Sequence, residues 1–176
     1  MPTARPESGT YVPYFINYIG RVPEGAEPLT LLAEQPAELR QLLGGLSEEQ
    51  ALTSYGPGKW TIKEVLLHLI DTERIFAYRA LRVARGDQQP LPGFDENEYA
   101  AQSGANARPL PDLLAEYEAV RQASLTLFRS FGPAQLDRTG TASNHPITVR
   151  ALLFVVPGHE AHHLHILRER YFPLLG

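Results

Sequence analysis

The chain has no cysteine among its 176 residues. That excludes disulfides, a zinc–thiolate site, an iron–sulfur cluster and a cysteine nucleophile together. It also lacks a basic excess: 16 Lys and Arg stand against 20 Asp and Glu, for a formal net charge of −4. A nucleic acid or an anionic membrane surface would select the opposite sign, so neither is expected as a partner. No apolar run reaches membrane-spanning length, and no basic, apolar and small-residue leader opens the chain. A cytoplasmic location is the expectation. There is no alternating apolar–polar run, no hairpin signal and no internal repeat. What remains is ordinary globular material, 43% hydrophobic and 20% charged, with a length that fits one domain over residues 1–176.

Proline and glycine divide this domain into helices and connectors. Residues 1–28 are proline-rich and carry Tyr11, Tyr14, Phe15 and Tyr18, too many aromatics for a free tail, so they read as an arm packed on the body. Residues 29–43 form a first helix ending at Gly44-Gly45, with Pro36 kinking it or delaying its start. The second helix runs from Ile62 to about Arg85. Its start is marked by the capping box Thr61-Ile62-Lys63-Glu64 and by Trp60 and Val65 at staple spacing. Gly86 to Arg108 is a polar connector of 23 residues, a length that signals a crossover or a function. A third helix starts near Pro111 and stops before Gly132-Pro133, and a fourth runs from about Thr148 to Tyr171 with a kink expected at Pro157-Gly158. The class is all-α, and four long helices on these connections predict a four-helix bundle.

Four of the six histidines fall between positions 159 and 165. On a helix His159 and His163 lie one turn apart on the same face, a spacing that suits two imidazoles on one metal ion. His162 offers the alternative pair 159/162. Ile166 continues the 159/163 face inward, which favours the latter. His68, on the apolar face of the second helix between Leu67 and Leu69, supplies a third donor. Burying several unpartnered imidazoles is costly, and a shared metal removes that cost for all of them. The string His159-Glu160-Ala161-His162-His163 also matches the zinc-protease pattern, but Ile166 and Glu169 stand where its extended form needs Gly and His. Only 13 residues follow His163, so a third ligand comes from upstream and a protease is not expected.

The motifs Gly58-Lys59-Trp60-Thr61-Ile62-Lys63-Glu64-Val65 with His68-Leu69-Ile70-Asp71-Thr72-Glu73, and then Gly158-His159-Glu160 with His162-His163, resemble those of the DinB/YfiT-like superfamily. Arg79, Arg85-Gly86-Asp87 and Gly93-Phe94-Asp95 belong to the same pattern. The resemblance spans roughly residues 30 to 170. It implies a bundle of up-down-down-up topology, a divalent metal held by His68, His159 and His163, and a homodimer. It also implies one of several activities: transfer involving a low-molecular-weight thiol such as bacillithiol, isomerisation, or metal-dependent hydrolysis.

Depth along the helices points the same way. His68 lies about 9 Å from the start of its helix, and the midpoint of His159 and His163 about 15 Å from the end of theirs and about 20 Å from its beginning. The ligands align better if these two helices are antiparallel. A connector reaching up to ~76 Å lets the third helix run in the direction of the second.

Three neutral histidines leave a metal with open positions, the mark of a catalytic site; nitrogen ligation suits zinc, nickel, iron or copper, and the expectation is one divalent ion per chain, zinc or nickel foremost. With no cysteine in the chain, any thiolate must arrive with a cosubstrate. Among the activities the resemblance implies, the leading expectation is a bacillithiol-type S-transferase acting on a small-molecule thiol and an electrophile. A hydrolase and a non-enzymatic, stress-linked metal-binding protein are the alternatives. Asp71 and Glu160 are candidates to orient the ligands or act as base. Arg79 and Arg82, further along the second helix, are candidates to contact an anionic cosubstrate.

Overall fold

The structure, a computed structural model, describes residues 3–175. In chain order its α-helices are α1 (Ile16–Ile19), α2 (Pro28–Leu43), α3 (Glu48–Ala51), α4 (Ile62–Ala84), α5 (Glu96–Gln102), α6 (Leu110–Arg129), α7 (Pro133–Leu136) and α8 (Val149–Ile166). Strands β1 (Thr139–Ala142) and β2 (His145–Thr148) lie between α7 and α8. The long helices α2, α4, α6 and α8 are the bundle.

Side-chain pairs give each helix its direction. Between α4 and α6, Glu73 meets Arg121 and Arg74 meets Glu116, while Lys63 reaches the carbonyl of Arg108 just before α6. Numbers rise together, so the two are parallel. Between α4 and α8, Tyr171 donates to the carbonyl of Trp60, His68 meets His159, and Arg138, whose own carbonyl accepts from the amide of Val149 at the start of α8, reaches the carbonyl of Ala84. These two are antiparallel. Gln35 with Pro157 and Glu38 with Arg168 set α2 parallel to α8. The topology is up-down-down-up, and the long connector after α4 returns the chain to the end where α4 began.

The apolar core has two halves. One holds Leu39, Leu66, Ile70, Leu113, Tyr117 and Leu167; the other holds Leu32, Phe76, Val83, Phe128, Leu152 and Phe154. Between them every long helix contributes a buried polar side chain: Gln35, Glu73, Arg121 and Glu160. The bundle thus has a polar waist.

Local structure follows the expected signals in most places. Thr61 Oγ1 accepts from the amide of Glu64 at 3.1 Å, and Glu64 Oε2 accepts from that of Thr61 at 2.8 Å, completing the capping box. The arm packs down: Tyr11, Tyr18, Ile19 and Val22 are buried.

Three expectations need correction, and the connector adds a helix. Pro36 does not delay α2, which begins at Pro28 in the favourable first position. Helix α8, continuous through Pro157, ends at Ile166 rather than at Tyr171, and the chain then widens into a π turn over Leu167–Tyr171. The polar connector carries a short helix that the sequence reading did not place: Asp95 caps α5 by accepting from the amides of Asn97 and Glu98. A β-hairpin exists after all, with Ser143 and Asn144 at φ 50° and 63° forming its two-residue turn. Asn tolerates that left-handed region, and no glycine was present to announce it.

Candidate metal centre

His68 is carried by α4, His159 and His163 by α8, and antiparallel packing brings all three together. Nε2 of His68 lies 3.0 Å from Nε2 of His159, and Nε2 of His163 lies 3.1 Å from the same atom. One ring nitrogen from each residue falls within 4.8 Å of the others. Metal–nitrogen bonds of about 2.0–2.1 Å separate adjacent ligand nitrogens by roughly 3.0–3.4 Å, so the donor set fits one divalent ion. His162 is not part of this convergence.

Burial keeps these imidazoles neutral, the form a metal requires. It depresses His68 to about 4, with the neighbouring His162 adding to the shift. His159 and His163 are pushed well below the ordinary histidine range, first by burial and then by neighbouring charges: His163, His68 and His162 act on His159, and His68, His162 and Arg21 act on His163. The aromatic surroundings explain the desolvation: ring centroids stand 4.8 Å apart for Trp60 and His68, 5.0 Å for Tyr18 and His159 in a T-shaped pair, and 6.0 Å for Phe76 and His159. Behind His68, Thr72 Oγ1 sits 3.4 Å from Nδ1. This helix-face neighbour, not Asp71, is the group placed to orient the ring.

Gly158 fixes one wall. A Cβ built there would stand 2.1 Å from the carbonyl oxygen of Tyr18, so only glycine lets the arm lie directly on α8 beside His159. Tyr18 consequently contacts both His159 and His162 through its ring.

The histidines open onto a cavity of about 360 Å³. The arm supplies Tyr14, Phe15 and Tyr18, α4 supplies Thr72, Phe76 and Arg79, the connector supplies Phe94 and Glu96, and the hairpin supplies Ser143 and His145. A size near 300 Å³ and upward, with mixed aromatic and polar walls, suits a small organic molecule.

The other expected site residues are placed differently. Glu160 turns away from the histidines into the polar waist, where Tyr117 Oη lies 2.8 Å from both its oxygens and Arg121 pairs with it directly. Adjacent helix positions point about 100° apart, so Glu160 cannot share the face of His159. Burial raises its pKa against the pull of Arg121. Asp71 is half-exposed and lies 3.5 Å from Arg74 on the outer surface. Arg82 is engaged with Asp87 and Tyr78 and does not line the cavity. Arg79 does line it, with Nη2 donating to the Pro92 carbonyl at 2.8 Å and to Ser143 Oγ at 3.2 Å.

Residues the sequence reading did not single out include Arg121, whose position in the stripe Leu114-Tyr117-Arg121-Ser124-Phe128 was the available signal. A lone arginine on an apolar helix face is a buried ion pair waiting for a partner. His145 and Ser143 gave no such signal, because the hairpin that presents them was not expected.

The family model of the DinB superfamily matches residues 31–167. The chain belongs to the DinB superfamily. Among curated proteins this DinB-superfamily chain is similar to one from Oceanobacillus iheyensis named "Putative metal-dependent hydrolase", 30% identical over 76% of this chain and 77% of the relative. A protein of Geobacillus thermodenitrificans with the same name is 28% identical over 85% and 87%. Among solved structures it is similar to YfiT from Bacillus subtilis, described as a probable metal-dependent hydrolase with an unusual four-helix bundle topology. That match has a TM-score of 0.74 at 20% identity and covers 97% of this chain and 93% of the other. It establishes the shared fold. No helix among the described residues is long and apolar enough to cross a membrane.

Proposed function

We propose that this chain is a metal-dependent enzyme in which His68, His159 and His163 hold one divalent ion, zinc or nickel, at one end of the cavity, and that it transfers a low-molecular-weight thiol of the bacillithiol type to an electrophile. The observation that carries the metal-dependent reading is the convergence of three neutral imidazoles on an open, ligand-sized cavity. A purely structural site would have its coordination completed by the protein. An ion so held would lower the pKa of a bound water or thiol and make it a nucleophile at neutral pH.

The protein's own groups then bind and orient. Tyr18, Trp60 and Phe76 exclude water around the ligands, which strengthens every charge interaction at the site. Thr72 holds the ring plane of His68. Among the described residues Glu96 is the one carboxylate lining the cavity, since Glu73 and Glu160 are committed to Arg121. Scarcity of carboxylate bases favours a nucleophile that ionises readily, as a thiol does, and a chain without cysteine must receive it from outside.

Hydrolysis is the second reading, favoured by the names of the relatives and by His162, a neutral imidazole on the cavity wall able to accept a proton. The two separate in one assay. Untagged, metal-loaded protein is incubated with a chromogenic electrophile, with and without bacillithiol. Conjugation that requires thiol and disappears in His159→Ala supports transfer. Turnover indifferent to thiol supports hydrolysis, and absence of turnover in either arm rejects both.

A further inference from the structure

Arg79 is 4% exposed, yet among the described residues no carboxylate pairs with it; burial alone perturbs it. Only Nη2 has protein acceptors, the Pro92 carbonyl and Ser143 Oγ. No fully buried side-chain nitrogen or oxygen lacks a hydrogen-bond partner among the described residues. The remaining N–H groups of Arg79 therefore face accessible space, and the space that Arg79 borders is the histidine cavity. Glu96 lines the same cavity without pairing with it. Phe94 covers the guanidinium, with Cζ 6.0 Å from the ring centroid. An unpaired guanidinium held this deep is costly unless something negative arrives.

Its position along α4 is informative. Arg79 follows His68 by three turns on nearly the same face, about 16 Å further along the axis. The cavity thus has a metal-binding end and a cationic end, joined by the aromatic rings of Phe15 and Phe76. The cationic end is rigidly built. The connector and hairpin that hold Arg79 are tied by Leu91 N to Thr141 O at 2.9 Å and Ser143 N to Leu91 O at 3.0 Å.

We propose that Arg79 anchors an oxyanion, a carboxylate or phosphate group, on an extended small molecule whose other end reaches the histidines. The location of that other end rests on the metal-dependent reading above; the anion site does not. The guanidinium fork offers its free N–H groups to two oxygens at once, so a planar carboxylate or a phosphate edge is matched better than a halide.

The test titrates full-length protein, incubated beforehand with zinc, with succinate and, separately, inorganic phosphate by calorimetry. Wild type, Arg79→Gln, Ser143→Asp and His163→Ala are compared. Ser143→Asp leaves Arg79 in place but presents an internal carboxylate at the same hand-hold, and Asp tolerates the left-handed backbone there. Wild type binds at least one probe; Arg79→Gln and Ser143→Asp each weaken it about tenfold or more, while His163→Ala stays within about threefold. Which probe binds tells a carboxylate ligand from a phosphate one. If Arg79→Gln fails to fold, Ser143→Asp carries the comparison alone. Unchanged affinity in the folded Arg79 or Ser143 variants overturns the proposal, as does failure of both probes to bind wild type. Loss of binding in His163→Ala also overturns it, by placing the anion on the metal. Metal content of the same His163→Ala protein judges the metal reading separately.

Discussion

His159 and Glu160 are neighbours in sequence, both nearly inaccessible, and they belong to regions built on opposite rules. Glu160 enters the waist, where Arg121 binds Glu73 through Nε and Nη2 at 2.8–3.1 Å and also reaches Leu32 O and Gln35 Oε1. Gln35 in turn donates to the carbonyl of Pro157 at 2.8 Å. Burial alone would lower the pKa of Arg121, but the carboxylates of Glu160 and Glu73 hold it above its usual range. Every strong donor and acceptor there finds its partner inside the protein. His159 enters a region where three ring nitrogens converge and Arg79 keeps donors unspent. A closed polar network specifies how helices pack. An open one leaves its donors and ring nitrogens facing a cavity.

The sharpest way to break this comparison is to open the closed region. Arg121→Met leaves two buried carboxylates unpaired and is expected to cost about 3–5 kcal/mol, lowering Tm by about 10 °C or more in thermal unfolding. A loss under about 1 kcal/mol would mean the waist is not the keystone described.

Acidification probes the other region. Folding depresses His68 to about 4 from an unfolded value near 6.5, so protonation favours the unfolded chain. The stability contributed by neutral His68 is complete above about pH 6.5 and is lost as pH falls toward about 4, on the order of 3 kcal/mol. Urea unfolding of metal-free protein across that window measures it. The His68→Ala chain should show a flatter profile.

Smaller effects sharpen the boundary between the regions. Gly158→Ala forces the Tyr18 carbonyl off α8 and should cost about 1–3 kcal/mol, with faster proteolytic cleavage in residues 10–20 as the marker of a displaced arm. His162→Ala removes a half-buried ring that touches Tyr18 but not the converging nitrogens. It should cost under about 1 kcal/mol and leave metal stoichiometry unchanged.

What the sequence disclosed was whatever is written locally. The capping box at Thr61, the glycines after Leu43 and the four-residue spacing of His159 and His163 each carry their own geometry, so helices and ligands could be read from short windows. The direction of α4 relative to α8 was legible too, because the long connector and the depth of His68 constrain it. Partners distant in the chain were not. Glu160 looked like a candidate base because Arg121 and Tyr117 stand about 40 positions away, and nothing nearby hints at their approach. Asp71 and Arg82 find partners within a few residues on the surface, whereas Arg79, at the same spacing class, is turned inward by a hairpin whose turn lacks glycine. Local chemistry named the ligands; tertiary packing decided which charged groups stand beside them.

The central claim is that the open cluster at His68, His159 and His163 exists to hold one divalent ion. Metal content of untagged protein, purified without chelator and measured by plasma emission alongside a calorimetric zinc titration, tests it most directly. One ion per chain is expected in wild type and His162→Ala, and none retained after dialysis in His68→Ala or His163→Ala, with the helical circular-dichroism signal unchanged. Full stoichiometry and affinity in His68→Ala, or no binding by wild type at micromolar zinc, would contradict the account.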